Sequence, residues 1–594
     1  MRYRTFSSLG VVTVLLLNLF IPQSSASDKN KYLWPPQFNN EQTLKNSLMG
    51  YAFNIVDDFT QGPAAMEANS FISVAGGIQP LCTSYFDPFC INEISSGRGD
   101  WWANVALAVC KSPNQTTPCV EGVRVVENAN SANPVSRELV LKKVLPGNYW
   151  PSDPTINLPE GSAPSLWIDP METDKSRGYM ISAGGALNSS TRGATVTRVN
   201  LTSFQASITP YEQIVEPGVT GASIIMLNGV RKLSVGAGPH CVWADKDECG
   251  LQSEFRENTR LQLVLHLPTQ MSTWLLGRMR DPLVSIEQLP TSSATNEQMS
   301  RLTVTANAVE IPLIAAKVEL SEANEAQRSY FGDPKNNIGN PNFPNNQYGY
   351  NYAGTSSSYD LAFVFHEMFK KQLPTNAQLM FPRWSVRSLQ SATPAFSRCQ
   401  GVNYGKFQGL VTTNASIYQG SPPTFDGESF EYKVAGVHKK TNGEVFQGSY
   451  DLILDSRFAR CLYKFSTAPV RASVSVTNPE GSSSIATSVF SEKDGMMKLS
   501  INGFTFSSPQ ISVKLEQDKV IATPSPTSTP SPSTSPSPSS SASPISSPKT
   551  TLSPSPSSST TGASKKITIF CVKGKMVQKI TSVKPKCPKG YVKR

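Results

Sequence analysis

Alternating hydrophobic and polar positions recur along most of the chain and predict β-strands. In residues 260–267 leucine occupies every second position, so the leucines share one face of a strand. The same alternation marks residues 105–109, 196–208, 472–476 and 511–515. Clusters of Gly, Pro, Asn and Ser separate these stretches, whereas long helical periodicity is scarce. The pattern predicts a mainly β fold of two or three antiparallel β-sandwich-like domains.

Shifts in composition predict six segments along the chain. In order they are a signal peptide, an N-terminal β-rich region with room for two sandwiches, a mixed region with a long Asn/Tyr-rich loop, a β-sandwich, a disordered Ser/Thr/Pro-rich spacer and a small basic module closed by a disulfide. The predicted boundaries are 1–26, 27–310, 311–415, 416–521, 522–564 and 565–594.

The first 26 residues have the pattern of a secretory signal. Arg2 and Arg4 precede an apolar stretch over residues 9–21, and small residues lead up to Ala26. This stretch is shorter than the roughly 20 residues that a spanning helix needs, which disfavours the alternative of an uncleaved membrane anchor. We therefore expect a secreted protein, extracellular or associated with the cell wall, with no transmembrane helix in the mature chain.

Charge is divided unevenly between the body and the C-terminal segment. The chain has 54 basic and 44 acidic residues, and residues 565–594 contain ten Lys or Arg and no acid. Without those ten, Lys549 and the two arginines of the signal, 41 basic residues remain against the 44 acids. We interpret the tail as a contact to an anionic cell-wall polymer or envelope surface, since an exported protein is not expected to meet nucleic acid. The alternative is a solvated tail that serves only solubility.

The ten cysteines fit disulfide bonds in an oxidising compartment. Four pairs have short spacings and the remaining two cysteines form a longer pair, although other connectivities are possible. A zinc site is the alternative, but the chain contains no Cys-x-x-Cys motif. The favoured pairs are Cys82 with Cys90, Cys110 with Cys119, Cys241 with Cys249, Cys399 with Cys461, and Cys571 with Cys587.

The common catalytic and nucleotide-binding motifs do not occur in this sequence. There is no Gly-x-Ser-x-Gly elbow, no Walker loop and no complete zinc-protease motif, so no catalytic, cofactor or metal residue is predicted. Residues 245–250 begin like a calcium loop, but Arg256 stands where calcium needs a glutamate, which favours a charged turn. His266 is expected on the strand face opposite the leucines, towards solvent or a second layer.

Aromatic residues provide the candidate ligand contacts. The candidates for stacking against sugar rings are Trp101, Trp102, Tyr348, Tyr350 and Tyr352. Packing in the core or at its rim is the alternative role. A glycosidase would also need two carboxyl groups at a fixed separation, and nothing in the spacing selects among Asp57, Asp58, Asp100 and Glu367.

Several short stretches resemble a group of secreted proteins from actinobacteria. They lie at residues 161–167, 238–243, 274–278, 459–463 and 503–509. In the tail, residues 571–575 and 586–591 resemble short C-terminal modules found on exported proteins of that group. The resemblance implies a location and an architecture, and it brings no assigned activity.

The sequence therefore predicts an exported, non-enzymatic surface protein. Its β-rich body would be displayed on a proline-rich stalk and retained at the cell envelope by the cationic tail, with glycans or other surfaces as candidate ligands. The alternative is a secreted carbohydrate-active hydrolase that uses a carboxylate pair.

Overall fold

A computed structural model describes most of the body and part of the tail. The described residues are 49–57, 69–75, 80–127, 134–227, 230–234, 241–291, 297–337, 350–389, 396, 398–399, 406–477, 487–506, 510–517, 567–573, 576–582 and 592–593. The predicted signal peptide and the predicted spacer lie outside these residues. The chain divides into two units, Met1–Val520 and Ile521–Arg594.

The described part of the chain is mainly β, with four α-helices. The first nineteen strands are β1 (Gly50–Val56), β2 (Phe71–Ala75), β3 (Asp100–Ala106), β4 (Cys119–Glu127), β5 (Val135–Glu138), β6 (Val140–Val144), β7 (Ser165–Ile168), β8 (Arg177–Arg192), β9 (Thr195–Leu201), β10 (Gln205–Val215), β11 (Ser223–Leu227), β12 (Val230–Ser234), β13 (Trp243–Asp245), β14 (Glu248–Gln252), β15 (Thr259–Pro268), β16 (Trp274–Arg278), β17 (Arg280–Gln288), β18 (Met299–Asn307) and β19 (Val309–Glu319).

The remaining strands follow in chain order. They are β20 (Tyr350–Ser356), β21 (Leu379–Arg383), β22 (Ser385–Ser388), β23 (Gly409–Thr413), β24 (Ile417–Tyr418), β25 (Thr424–Phe425), β26 (Ser429–Ala435), β27 (Gly448–Asp455), β28 (Val470–Thr477), β29 (Thr487–Lys493), β30 (Met496–Phe504), β31 (Gln510–Gln517), β32 (Ile567–Lys573), β33 (Met576–Ser582) and β34 (Val592–Lys593). The helices are α1 (Pro88–Ser95), α2 (Glu325–Phe331), α3 (Asp360–Met368) and α4 (Ser456–Tyr463).

One large sheet runs through the first unit. Its main path is β2-β3-β8-β10-β22-β16-β23-β27-β30-β29, and β6, β7, β9, β13 and β14 pair beside that path. The described pairings in this sheet are antiparallel except for the parallel pair β16–β23. In the second unit, β33, β32 and β34 form an antiparallel sheet.

The central strands of the large sheet are buried on both faces. Leu275, Leu410 and Ile453 pack in a core with the five-stranded sheet β17-β18-β15-β4-β5. Their sequence neighbours, such as Leu276 and Val411, pack in a second core with the sheet that contains β26, β31 and β28. Because successive side chains of a strand point to opposite faces, continuous apolar stretches such as the one in β27 supply both cores.

A four-stranded sheet of order β20-β1-β19-β21 lies beside α3. Phe53 of β1 contacts Phe365 and Phe369 at ring-centroid distances of 5.6 Å and 4.7 Å. Only Trp384, which is fully buried, separates β21 of this sheet from β22 of the large sheet. The two sheets are therefore joined directly by the chain.

A buried ion cluster connects these two sheets. Asp57, which follows β1, forms ion pairs with Arg278 at 2.9 Å and with Arg383 at 3.3 Å. Arg278 ends β16 and Arg383 ends β21, and the three side chains are at most 5% exposed. Arg278 also donates to the carbonyl oxygens of Thr413 and Ala415, which accommodates the second positive charge.

Four disulfides lie in the described residues, and each joins two cysteines that the sequence spacing pairs. They are Cys82–Cys90, Cys110–Cys119, Cys241–Cys249 and Cys399–Cys461. The predicted pair of Cys571 with Cys587 stays a prediction, because Cys587 lies outside the described residues. Four disulfides fit an extracellular location.

The sheets cross the domain boundaries that composition predicts. The large sheet takes strands from both sides of residues 310 and 415, since β16 pairs with β23 and β23 pairs with β27. The number of domains in the body stays a prediction. Within the described residues, no helix is both long enough and apolar enough to cross a membrane.

We expect Asp57→Asn to destabilise the body by about 3 to 5 kcal/mol, because two buried guanidinium groups would lose their carboxylate. Urea denaturation of the purified protein measures this loss. Asp494→Asn is the matched control, since Asp494 and its partner Lys493 are both 84% exposed, and it should change stability by less than about 0.5 kcal/mol. Equal effects of the two substitutions would contradict this account.

Removal of the long disulfide should cost more stability than removal of a short one. Cys399 and Cys461 are 62 residues apart, whereas Cys241 and Cys249 are 8 apart. Loop-closure entropy gives about 4 kcal/mol for the long loop and about 2.5 kcal/mol for the short one. Denaturation of the two double Cys→Ser variants tests this order, after non-reducing peptide mapping has established the pairs in the parent protein.

Candidate functional site

The tryptophans nominated for sugar stacking already have aromatic partners. Trp101 and Trp102 are consecutive in β3 and both are partly exposed. The ring of Trp101 lies 5.0 Å from that of Tyr85, and the ring of Trp102 lies 4.6 Å from that of Phe71, both edge-on. These contacts position the two rings at the rim of the core.

The nominated tyrosines belong to another sheet. Tyr350 in β20 is fully buried, and its hydroxyl donates to Glu319. It is therefore a core residue that presents no ring face to a ligand. Tyr352 is partly exposed in the same strand, and Tyr348 lies outside the described residues.

The nominated carboxyl groups that the structure describes lie on separate elements. Asp57 is held by two arginines, and Asp58 lies outside the described residues. Asp100 is exposed at the start of β3, and Glu367 is exposed in α3 beside Lys370.

His266 is fully buried beneath the loop that the Cys110–Cys119 disulfide closes. Its Nδ1 lies 2.8 Å from the carbonyl oxygen of Gln115, and its Nε2 lies 2.6 Å from Glu121. The sulfur atoms of Cys110 and Cys119 and a ring nitrogen of His266 all lie within 4.8 Å of one another. Because the two sulfurs are bonded to each other, they offer no thiolate to a metal.

The loop that begins like a calcium site is a tight hairpin turn. Lys246 and Asp247 have φ values of 43° and 66° and connect β13 to β14. The flanking Asp245 and Glu248 both accept from Lys143 at 3.0 Å. A lysine ammonium therefore takes the place that a cation would need.

A cavity of about 630 Å³ in the described residues is a candidate site. It opens where β8, β10 and β14 lie side by side, because Gly178 pairs with Tyr211 and Tyr211 pairs with Gln252. The turn after β7 and the loop after β14 complete it. The lining residues are Asp169, Glu172, Arg177, Gly178, Tyr179, Pro210, Tyr211, Glu212, Leu251, Gln252, Ser253, Glu254, Phe255 and Arg256.

Two arginines fix the deepest carboxylate of this cavity. Asp169 has a side chain only 1% exposed, and it accepts from Arg137 at 2.9 Å and from Arg256 at 3.1 Å. Arg256 also donates to Glu172. Burial alone would raise the pKa of Asp169, but the hydrogen bonds from Arg137 and from the backbone N–H of Met171 outweigh it and lower that pKa.

Glu172 shows the same balance of effects. Burial raises its pKa, whereas hydrogen bonds from the backbone N–H of Asp174 and from Arg256 lower it, and the net shift is downward. Both carboxyl groups therefore stay ionised at neutral pH, where they act as fixed hydrogen-bond acceptors.

Two tyrosines line the buried side of the cavity. Burial raises the pKa of both Tyr179 and Tyr211 to about 12, so both hydroxyls stay neutral at physiological pH. The hydroxyl of Tyr211 has no hydrogen-bond partner among the described residues. A Cβ atom on Gly178 would lie 2.6 Å from that oxygen, so glycine at this position makes room for the hydroxyl. Tyr211 is itself fully buried, so it shapes the cavity wall without presenting an exposed polar atom.

This arrangement suits binding of a polar ligand better than acid catalysis. The lining contains four acidic and two basic side chains, which disfavours a polyanionic ligand. A glycosidase needs one carboxyl group with a raised pKa, whereas Asp169 and Glu172 are shifted downward. Asp451 does have a raised pKa, but it is buried elsewhere and does not line the cavity.

No protein-family model matches the chain, and no curated protein matches it. The resemblance to secreted actinobacterial proteins therefore stays an expectation.

Sequence reasoning did not find the cavity residues. They lie between positions 169 and 256, and the register of three strands brings them together. No local motif marks them.

The lowered pKa of Asp169 predicts how stability depends on pH. A carboxyl group whose folded pKa is below its unfolded value of about 3.9 stabilises the fold above that value, and this contribution is lost as the pH falls through the folded pKa. Asp169→Asn should therefore lower the thermal midpoint at pH 7, and the difference from the parent should shrink below about pH 4. A difference that stays constant from pH 7 to pH 2.5 would contradict this role.

Proposed function

We propose that the protein is an exported, non-enzymatic surface protein whose body binds glycans. In this proposal the body comprises two or three β-sandwich-like domains, residues 522–564 form a disordered stalk, and residues 565–594 retain the protein at the cell envelope. The division of charge carries the proposal. The tail has ten basic residues and no acid, whereas 41 basic and 44 acidic residues remain once the tail, Lys549 and the signal are left out. The four disulfides of the body are compatible with export.

The cavity supports a binding function for the body. Sugar hydroxyls both donate and accept hydrogen bonds, and the lining of the cavity contains ionised carboxylates, guanidinium groups and Gln252. Its excess of acidic side chains favours neutral or amine-bearing glycans over anionic ones.

Envelope retention tests the role of the tail. The full protein should remain with isolated cell envelopes at low salt and should leave them at high salt, because salt screens exposed charges. A truncation ending at Ile521 should appear in the medium. Equal retention of both forms would contradict attachment through the tail.

A polysaccharide-binding screen tests the cavity. The secreted chain should bind neutral or amine-bearing polysaccharides, and Arg256→Gln should weaken that binding, because Arg256 lines the cavity and orients Asp169 and Glu172. Arg198→Gln in β9 is the matched control, since Arg198 is exposed and does not line the cavity. Release of reducing sugar during the screen would establish the hydrolase instead, and unchanged binding by Arg256→Gln would exclude the cavity as the site.

A further inference from the structure

A lysine and an aspartate from different sheets meet outside the cavity. Asp281 lies near the start of β17, where the register with β18 is interrupted between Arg280 and Leu283. Its φ of 53° places it in a left-handed conformation. Its Oδ1 accepts from Nζ of Lys498 in β30, and its Oδ2 accepts from Arg260 in β15. The carboxyl group of Asp281, in the five-stranded sheet, thus contacts the amine of Lys498, in the large sheet.

A third, deeply buried carboxyl group lies beside this pair. Asp451 in β27 is 1% exposed, and its Oδ2 accepts from the backbone N–H of Asp281 at 3.0 Å. It also accepts from the hydroxyl of Thr412 at 3.0 Å and from that of Ser500. Thr412 and Ser500 are its register partners in β23 and β30, so the sheet itself fixes the position of Asp451.

The surroundings favour reactive forms of these groups. Burial lowers the pKa of Lys498, whose side chain is 18% exposed, and thereby increases the fraction of neutral amine. Burial raises the pKa of Asp451, in spite of the hydrogen bonds from Ser500 and Thr412, and so favours a protonated carboxyl group. A neutral amine that contacts one carboxylate, beside a second carboxyl group that can supply a proton, is the starting state for amide formation.

We propose that Lys498 and Asp281 form an intramolecular isopeptide bond between Nζ and Cγ. The neutral amine attacks Cγ of Asp281 while the proton held by Asp451 passes to an oxygen of the Asp281 carboxylate, the new C–N bond forms, and the bond from Cγ to the protonated oxygen breaks. One proton from nitrogen and the departing hydroxyl leave together as water. The step is neither an oxidation nor a reduction, and it needs no co-reactant.

The neighbouring residues have distinct roles in this step. The Arg260 guanidinium, which touches Oδ2 of Asp281, stabilises the negative charge that develops on that oxygen. Asp451 gives its proton to the departing oxygen and ends ionised, and the proton released by the attacking nitrogen completes the water. The bond would join β17 to β30 across 217 residues of sequence.

The ion pairs of Lys143 provide an internal contrast. Lys143 also contacts two carboxylates, Asp245 and Glu248. Burial would lower its pKa, but the hydrogen bonds that it donates to these carboxylates raise that pKa overall, so its amine stays charged. A protonated amine is no nucleophile, and we expect Lys143 to remain unmodified.

Intact mass spectrometry of the full chain after disulfide reduction is the primary test. The mass should be lower than the sequence mass by one water, and a protease digest should contain one branched peptide that joins residues 281 and 498. Lys498 should resist trypsin, whereas Lys143 should be cleaved. A full sequence mass, or a water loss that maps to other residues, would overturn the proposal and leave only a non-covalent ion pair.

Three variants identify the reacting atoms. Lys498→Arg keeps the charge but cannot form the amide, so it should have the full sequence mass. Asp281→Asn should instead lose ammonia, because its side-chain amide has an NH2 group in place of the oxygen that leaves. Lys514→Arg is the matched control, since Lys514 forms an exposed ion pair with Glu428, and it should still lose one water. Water loss from Lys498→Arg would contradict the assignment.

Asp451→Asn tests the proton transfer separately from the bond itself. The variant should show much less crosslinked protein than the parent after the same time, although both reacting side chains are present. The parent should crosslink at a rate that depends on pH through both Lys498 and Asp451, and Asp451→Asn should keep only the dependence that comes from Lys498. Crosslinking at the parental rate and with the parental pH profile would contradict the role of Asp451.

Discussion

The contact of one carboxylate with two buried guanidinium groups constrains the arrangement of the body. Asp57 follows a strand of the four-stranded sheet, and its partners Arg278 and Arg383 end strands of the large sheet and of the four-stranded sheet. Buried charges are costly unless they are paired, so these three strand ends must meet. The chain strengthens this constraint, because only the buried Trp384 separates the two sheets after Arg383. The ion cluster and the short connection through Trp384 therefore fix the two sheets relative to each other, without a contribution from the loops.

With the sheets fixed, the large sheet can pack on both faces. Its central strands consist of apolar residues at consecutive positions, and each face meets another sheet. When a sheet is covered on both sides, any polar side chain on its strands is buried. Such a side chain needs a hydrogen-bond partner inside the body. Asp451 is such a residue, and Thr412, Ser500 and the backbone of Asp281 satisfy it. This buried polar cluster therefore lies where the large sheet meets the five-stranded sheet.

The sequence predicted the local features of this protein better than their arrangement. Alternating residues such as the leucines of 260–267 predicted strands, and short spacings paired cysteines such as Cys241 and Cys249, because both signals depend on neighbours in the chain. The parallel pairing of β16 with β23 could not be predicted, since more than a hundred residues separate them. The cavity was missed for the same reason. Its residues come together only through the register of β8, β10 and β14.

The environment of each carboxyl group, rather than its residue type, decides what it can do. Asp169 and Asp451 are both buried aspartates, but guanidinium groups surround the first and mainly hydroxyl and amide groups surround the second. Positive partners keep Asp169 ionised and fixed, which suits recognition of a ligand. Neutral donors compensate the desolvation of Asp451 only in part, so its pKa rises and it can carry a proton. Carboxylate spacing in the sequence could not separate these two roles, because the difference lies in the residues that other strands bring to each site.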